Sequence, residues 1–541
     1  MTPWTYAAIW ESVAAAIPDE LAIVQGNREM TWRAFDEAAN GLAAHLLGSG
    51  ISHQGKVAVY ARNGPEYLIG TYAAVKISTV PFNVNYRYAS EEVLFLLTSG
   101  DAEAVVFDAE FASLLEPIRA RAGKAKAWIA YATPGHPVPD WATDLAAIVP
   151  QPQCPDTLWE RSEDDLLFIF TGGTTGMPKA VMWRQGDLLA RGNYGGNPLL
   201  GLDPLPNPEA AGTRAKATPI RSKSLIAPPL MHGTGMISAF TALSGGSTVL
   251  LTGTGQFDAE AIWDMAETYG ASRMTVVGQP FAQPLLEALD ANPGRWDISA
   301  MQFMFSSGAM WSIENKRGLI AHMPELAITD SFASSEAFGL GASTVTKDAQ
   351  TETATFTIGP DCAVFAEDGR RIEPGSDEAG KVSVGGPIPL GYYNDEAKTR
   401  STFVELEGRR WSMPGDWATV SADGTLTVLG RGSQCINTGG EKVFPEEVEE
   451  VLKRHPAVRD AAVSGLPDPR FGERIGALAE LHSGATATPG ELIDHVRAAL
   501  SLYKAPRHLL IAPQIPRAPN GKMDYAAVKA LLVAHLADTG S

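Results

Sequence analysis

The chain has 541 residues, 45% of them hydrophobic and 19% charged. This is longer than one typical domain, and the composition excludes a largely disordered chain. Lysine and arginine number 43 against 62 aspartates and glutamates, a net charge of −19, which argues against nonspecific binding to nucleic acid or anionic lipid but not against an anionic ligand in a locally basic cleft.

Thr31 opens a helical pattern of Trp32, Phe35, Ala39, Leu42 and Leu46, ended by Gly48 and Gly50. Lys56–Tyr60 follows as a strand, Asn63-Gly-Pro65 as punctuation before a helix through Lys76, then strand 80–82, helix 90–97 and strand 104–107. The alternation recurs at 247–251, 262–269 and 273–277 and predicts mostly parallel sheets covered by helices. The stretch from Ser224 to Phe257 lacks every Asp, Glu, Lys and Arg, but Pro228, Pro229 and repeated glycines break it, so it reads as buried core rather than a membrane span. Residues 200–222, rich in Pro, Ala and Arg, read as a long surface insertion. Past Gly359-Pro360, short strands at 380–384, 411–413 and 425–429 indicate a β-rich subdomain. Beyond Gly430-Arg431-Gly432, a helix at 445–455, strands at 461–465 and 475–481, a helix at 489–500, a strand at 508–512 and a helix at 525–536 form an α+β unit.

The expected architecture is therefore α/β: a large N-terminal domain, 1–431, of parallel sheets covered by helices plus the β-rich subdomain, and a small α+β C-terminal domain, 432–541. Cys154, Cys362 and Cys435 form no CxxC pair, which speaks against a disulfide framework or a cysteine zinc site. The N-terminus lacks the basic residues and continuous apolar core of a secretory signal. A cytoplasmic protein without a transmembrane segment is expected.

The strongest chemical signal is LLFIF at 166–170 followed by Thr171, Gly172, Gly173, Thr174, Thr175, Gly176, Met177, Pro178 and Lys179. Glycines let the backbone turn its N–H groups onto an anion, hydroxyls add donors and Lys179 adds a cation, as polyphosphate requires. The spacing is not that of a Walker A loop.

This segment resembles the phosphate loop of the adenylate-forming superfamily, which includes acyl-CoA synthetases, firefly luciferase and the adenylation domains of peptide synthetases. Six further motifs follow in the family's order. Ala227-Pro-Pro-Leu-Met-His232-Gly resembles the acyl-pocket motif, Ser307-Gly308-Ala309 the adenine-contacting turn, and Phe332-Ala-Ser-Ser335-Glu336 the aromatic-Gly-x-Thr-Glu motif. Gly415-Asp416 resembles the ribose motif, Gly430-Arg431 the hinge, and Asn520-Gly521-Lys522 the C-terminal lysine motif.

The resemblance implies ATP and coenzyme A as co-substrates and Mg²⁺ on Glu336. It places Asp416 on the ribose, Arg431 on ribose and phosphate, His232 beside the acyl carboxylate, and Lys522 on the carboxylate and α-phosphate. Lys522, His232 and Glu336 are the expected catalytic set. The phosphate loop with Lys179, Ser307, Gly308, Ala309, Ser335, Asp416, Arg431 and Lys522 are the expected nucleotide ligands.

The chain departs from the family at Ser433, where the hinge residue is usually Asp or Lys, at Ala180, at Phe332-Ala333, and at Trp411-Ser-Met-Pro-Gly-Asp416. None of these removes a charged group from the expected set.

The implied activity is an acid–thiol ligase acting on a fatty or other bulky apolar acid, through acyl-AMP and pyrophosphate, to acyl-CoA and AMP. The stretch Asn437–Glu449 and TGGTTGMPKAVMWRQ are similar to bacterial ligases for long-chain or steroid side-chain acids. A non-catalytic nucleotide-binding or scaffold protein on the same fold is the competing class, which retention of the charged set opposes; an aryl-CoA ligase or luciferase-like enzyme is the alternative within the superfamily. The expected partners are a small-molecule carboxylic acid, ATP and CoA, with no nucleic acid and with a homodimer left open.

Overall fold

The computed structural model describes residues 2–171, 178–197, 201–253, 257–309, 311–349, 354–431, 434, 436–438, 441–468, 472–500, 502–518 and 523–539. The chain forms two compact units. One comprises 1–339, 344–350 and 384–412; the other comprises 340–343, 351–383 and 413–541.

The first unit carries two sheets. In one, the strands run in the order 391–392, 179–184, 166–171, 80–83, 56–60, 102–108, 127–131 and 143–144. From Leu166–Thr171 onward every neighbour is parallel, and the first two strands close the sheet antiparallel. The other sheet orders Arg28–Thr31, Leu21–Gln25, Thr248–Leu251, Lys223–Ile226, Arg273–Val276, Phe303–Ser307 and Ala327–Ser334, parallel after the first pair. Helices Gly233–Ser244, Ala259–Tyr269, Gly278–Ala291 and Ile313–His322 make its crossovers. Several of these parallel strands, such as Lys56–Tyr60, Leu166–Thr171 and Thr248–Leu251, read as near-continuous apolar runs because both of their faces are covered.

All twelve residues of helix Pro65–Lys76 are buried. A helix buried around its whole circumference, its few polar residues included, lies inside the fold. Its last residue, Lys76, is only 1% exposed. Glu11 and Asp36 each lie 2.8 Å from its ammonium, which satisfies the buried charge.

Residues 200–222 are more than a surface insertion. Helix Ala210–Ala217 buries Ala211, Gly212 and Ala215, and a Cβ on Gly212 would stand 2.2 Å from the Ser12 carbonyl oxygen. Small residues let this helix lie directly on the N-terminal helix Tyr6–Ala16. The polar composition of the stretch concealed that narrow packing face.

Asp330, on strand Ala327–Ser334, is buried and lies 3.4 Å from the Lys316 ammonium. Burial lifts its carboxyl from 3.8 to about 6, against the opposing pull of Lys316. The unfolded chain loses this proton near 3.8. The stabilisation it brings is therefore complete below about pH 4 and is lost as the pH rises through about 6. Stability of Asp330→Asn relative to the wild type should improve by about 2 kcal/mol between pH 4 and pH 7. Urea titrations at several pH values measure this, and a pH-independent difference would contradict the assigned shift.

The second unit holds a small antiparallel sheet in the order Thr355–Ile358, Thr425–Arg431, Asp416–Val420 and Ser376–Val384. It also holds a sheet of Glu441–Val443, Ile436–Thr438, Gly472–Leu481 and Val458–Asp468, with His508–Ile511 parallel to Gly472–Leu481. Alternation along the central hairpin divides the core between its two faces. Ala461, Val463, Ala477 and Ala479 pack with Val448, Leu452, Leu492 and Val496 from helices Pro445–Lys453 and Pro489–Ala499. Ala462 and Leu478 pack with Val528 and Leu532 from helix Tyr525–Thr539.

Candidate active site

In the first unit the expected site residues gather at the carboxyl ends of the parallel strands, where open α/β sheets bind ligands. Strand Leu166–Thr171 pairs antiparallel with Lys179–Arg184, with Thr171 opposite Lys179. Gly172, Gly173, Thr174, Thr175 and Gly176 lie outside the described residues. The ends of their connection are described, and they set Thr171 and Lys179 on one face of a hairpin.

Buried Asn83 joins this hairpin to the acyl-pocket motif. Its Oδ1 accepts from the Phe170 amide at 2.9 Å, and its Nδ2 donates to the Met231 carbonyl at 2.5 Å. Asn63 holds the same motif from the other end. It donates to Pro228 O at 3.0 Å and accepts from Leu230 N at 2.7 Å. His232 then directly precedes helix Gly233–Ser244, its amide donating to Pro229 O at 3.1 Å. Gly235 permits this tight entry, since a Cβ there would meet Pro229 O at 2.4 Å.

Thr234 Oγ1 donates to the Ser307 carbonyl at 3.3 Å, which brings the start of the helix beside Ser307-Gly308-Ala309. Gly308 has φ +96°, a left-handed conformation that glycine accommodates. Ser307 Oγ donates to Ser331 O at 2.9 Å on the next strand. That strand ends at Ser334, and Ser335 and Glu336 form the turn that follows.

Three groups brace this turn. Trp183 Nε1, from the phosphate-loop hairpin, donates to Ser335 O at 2.9 Å. Ser412 Oγ donates to the Glu336 carbonyl at 2.6 Å. The Tyr392 hydroxyl donates to Glu336 Oε1 at 2.7 Å. Glu336 is thus a buried carboxylate with one oxygen held in place. Tyr392 sits on the edge strand opposite Val181, so the hairpin carrying Lys179 also carries the support of Glu336. Lys179 forms an ion pair with Asp395, whose other carboxylate oxygen accepts from Lys398 N at 2.9 Å and caps helix Glu396–Thr402. The Lys179 ammonium holds the Asp395 carboxyl below its usual range.

In the second unit, Asp416 opens a strand directly after Gly415 at φ +106° and stands opposite Arg431 in the ladder. The two residues assigned to ribose and phosphate by resemblance are therefore neighbours in space. Lys522 and Ser433 lie outside the described residues. Next to Lys522, Met523 pairs antiparallel with Arg517. Arg517 forms an ion pair with Asp460, and Ile515 N donates to Glu480 at 2.9 Å.

Asn63, Asn83, Trp183, Tyr392 and Asp395 were not among the residues expected from sequence. The only signal for them was positional. Asn63 punctuates a helix start, and Gly391-Tyr-Tyr-Asn-Asp395 resembles an ordinary turn before a helix.

Glu336, Lys179 and His232 thus stand near the carboxyl ends of two largely parallel sheets within the first unit. The chain belongs to the AMP-binding enzyme family, whose model matches residues 10–393; the AMP-binding enzyme C-terminal domain matches 447–522. A medium/long-chain-fatty-acid–CoA/3-oxocholest-4-en-26-oate–CoA ligase of Mycolicibacterium smegmatis is 35% identical, covering 97% of this chain and 95% of that protein. The medium-chain acyl-CoA ligase Mig of Mycobacterium avium is 37% identical, covering 97% of each. The crystal structure of the anthranilate CoA ligase AuaEII with anthranoyl-AMP shares the fold at TM-score 0.83 and 19% identity, covering 99% of each chain. The resemblance read from the seven motifs holds: the protein is an AMP-forming acid–thiol ligase that uses ATP and CoA. No helix among the described residues is long and apolar enough to cross a membrane.

Proposed function

We propose that the enzyme activates a medium- or long-chain fatty acid, or a steroid side-chain acid. A carboxylate oxygen attacks the α-phosphorus of ATP, pyrophosphate leaves, and acyl-AMP forms. The CoA thiolate then attacks the acyl carbon, the carbon–oxygen bond breaks, and AMP departs. The observation that carries this reading is the joining of Lys179, Glu336, His232 and Ser307-Gly308 by short hydrogen-bonded links within one unit. Lys179 and its loop bind the polyphosphate, Ser307-Gly308-Ala309 the adenine, Asp416 and Arg431 the ribose side, and His232 borders the acyl carboxylate. The domain boundary at 431/432 serves as the hinge, and the C-terminal domain supplies Lys522 to the first half-reaction.

Mg²⁺ fits this donor set. Among the described residues no group of three or more His, Cys, Asp or Glu side chains converges to hold a metal. A single buried carboxylate such as Glu336, completed by substrate phosphates and water, is how Mg²⁺ is usually bound. When bound, the ion would neutralise charge on the phosphates. A reducing cytoplasm is the location we infer for the enzyme; among the described residues Cys154 and Cys362 form no disulfide.

The relatives named above support the acid class, and Phe257 against Phe281 at 5.1 Å offers an apolar surface near the start of helix Gly278–Ala291. A panel of carboxylic acids with ATP and CoA, followed by AMP release, tests it. Fatty and steroid side-chain acids should turn over at least tenfold faster than benzoate or short dicarboxylates, since each buried methylene adds about 0.8 kcal/mol. Preference for an aryl or dicarboxylic acid would contradict the assignment.

A further inference from the structure

A site for ATP must grip a triphosphate and later release pyrophosphate, so the charge on its lysine has to be shared. Lys179 is 43% exposed along its side chain, open enough for a polyanion to reach, yet its ammonium is already engaged by Asp395. Asp395 is firmly placed. One carboxylate oxygen caps helix Glu396–Thr402 through Lys398 N. Its carbonyl accepts from Thr399 Oγ1 at 2.8 Å, and the same hydroxyl accepts from Tyr392 N at 2.8 Å. Gly391 makes this fold-back possible, because a Cβ there would stand 2.5 Å from Thr399 Cγ2. The segment 391–399 thus carries an anion to the phosphate-loop lysine from outside the loop.

We propose that Asp395 is the resident counter-ion of Lys179, and that the β- and γ-phosphates of ATP displace it on binding and yield to it again when pyrophosphate leaves. The proposal rests on the reading of Lys179 as a polyphosphate ligand. Asp395 is a positioning residue: it acts through Lys179 and limits how tightly the polyphosphate is held.

Asparagine separates the charge from the cap. Asn caps helices as well as Asp does, so Asp395→Asn keeps the bond to Lys398 N while removing the anion. Titration calorimetry with ATP and Mg²⁺, without acid or CoA and at low ionic strength, should show Asp395→Asn binding ATP about three- to tenfold tighter than the wild type. Pyrophosphate inhibition should strengthen by a similar factor. AMP, which lacks the β- and γ-phosphates, should bind unchanged. In a Lys179→Met background, Asp395→Asn should have no effect on ATP.

Unchanged or weakened ATP binding in Asp395→Asn would overturn the proposal. So would an equal gain for AMP, or a gain that persists without Lys179. A wild type that binds neither nucleotide would overturn the reading of the site and this proposal with it, whereas a wild type that binds ATP beside a variant that gains nothing would overturn this proposal alone.

Discussion

Replacing Lys522 by alanine is expected to lower acyl-adenylate formation by about 10²–10³, while thioester formation from supplied acyl-AMP and CoA stays close to the wild-type rate. Negative charge builds up as the carboxylate attacks the α-phosphorus, and a fixed ammonium beside that centre stabilises it. The second half-reaction begins with the adenylate already made, so it has no such demand. Lys522 adjoins Met523, which is paired with Arg517, and Arg517 is anchored by its ion pair with Asp460. The two half-reactions can be assayed separately on one purified variant. Equal collapse of both would make Lys522 structural or shared, and the proposal of a C-terminal domain that serves the two steps differently would lose its main support.

Glu336→Gln should reduce acid-dependent pyrophosphate exchange by a similar 10²–10³ with the fold unchanged. The substitution preserves size, and the amide oxygen can still accept from Tyr392, so the brace seen at 2.7 Å survives. What is lost is the negative charge available to a cation on the phosphates. Thermal unfolding within a few degrees of the wild type, together with the loss of exchange, is the expected pair of results. Near-normal exchange in a folded variant would remove Glu336 from the nucleotide site.

Several strands and helices of the first unit were legible because they are bounded by Gly, Pro or Asn and apolar on the faces they bury, whereas the N-terminal helix Tyr6–Ala16 and the strands Phe303–Ser307 and Ala327–Ser334 were not read from sequence. Lys56–Tyr60 and the helix ending at Lys76 lie where their punctuation puts them. The site was legible as a series of motifs along the chain, but the links between the motifs were not. Glu336 and Tyr392 are 56 positions apart, and Lys179 and Asp395 are 216 apart. No local spacing records such pairings; the sheet order creates them by laying the edge strand Gly391–Tyr392 against the phosphate-loop hairpin. Asn63 and Asn83 were hidden for another reason: asparagine before a proline or after a strand is common turn chemistry, and only tertiary structure shows the two amides holding the loop before His232. The docked helix Ala210–Ala217 escaped notice because its buried face is made of alanine and glycine, which carry little apolar signal.

An acid activated as an adenylate through its own carboxylate oxygen must leave one of its oxygens on AMP. Incubating the enzyme with ATP, CoA and a fatty acid labelled with ¹⁸O in both carboxylate positions tests it most directly, with the products read by mass spectrometry. Attack of the carboxylate on the α-phosphorus, followed by cleavage of the acyl carbon–oxygen bond by the thiolate, leaves one heavy oxygen in each AMP and one in each thioester. AMP free of label, or ADP and phosphate as the nucleotide products, would contradict the mechanism.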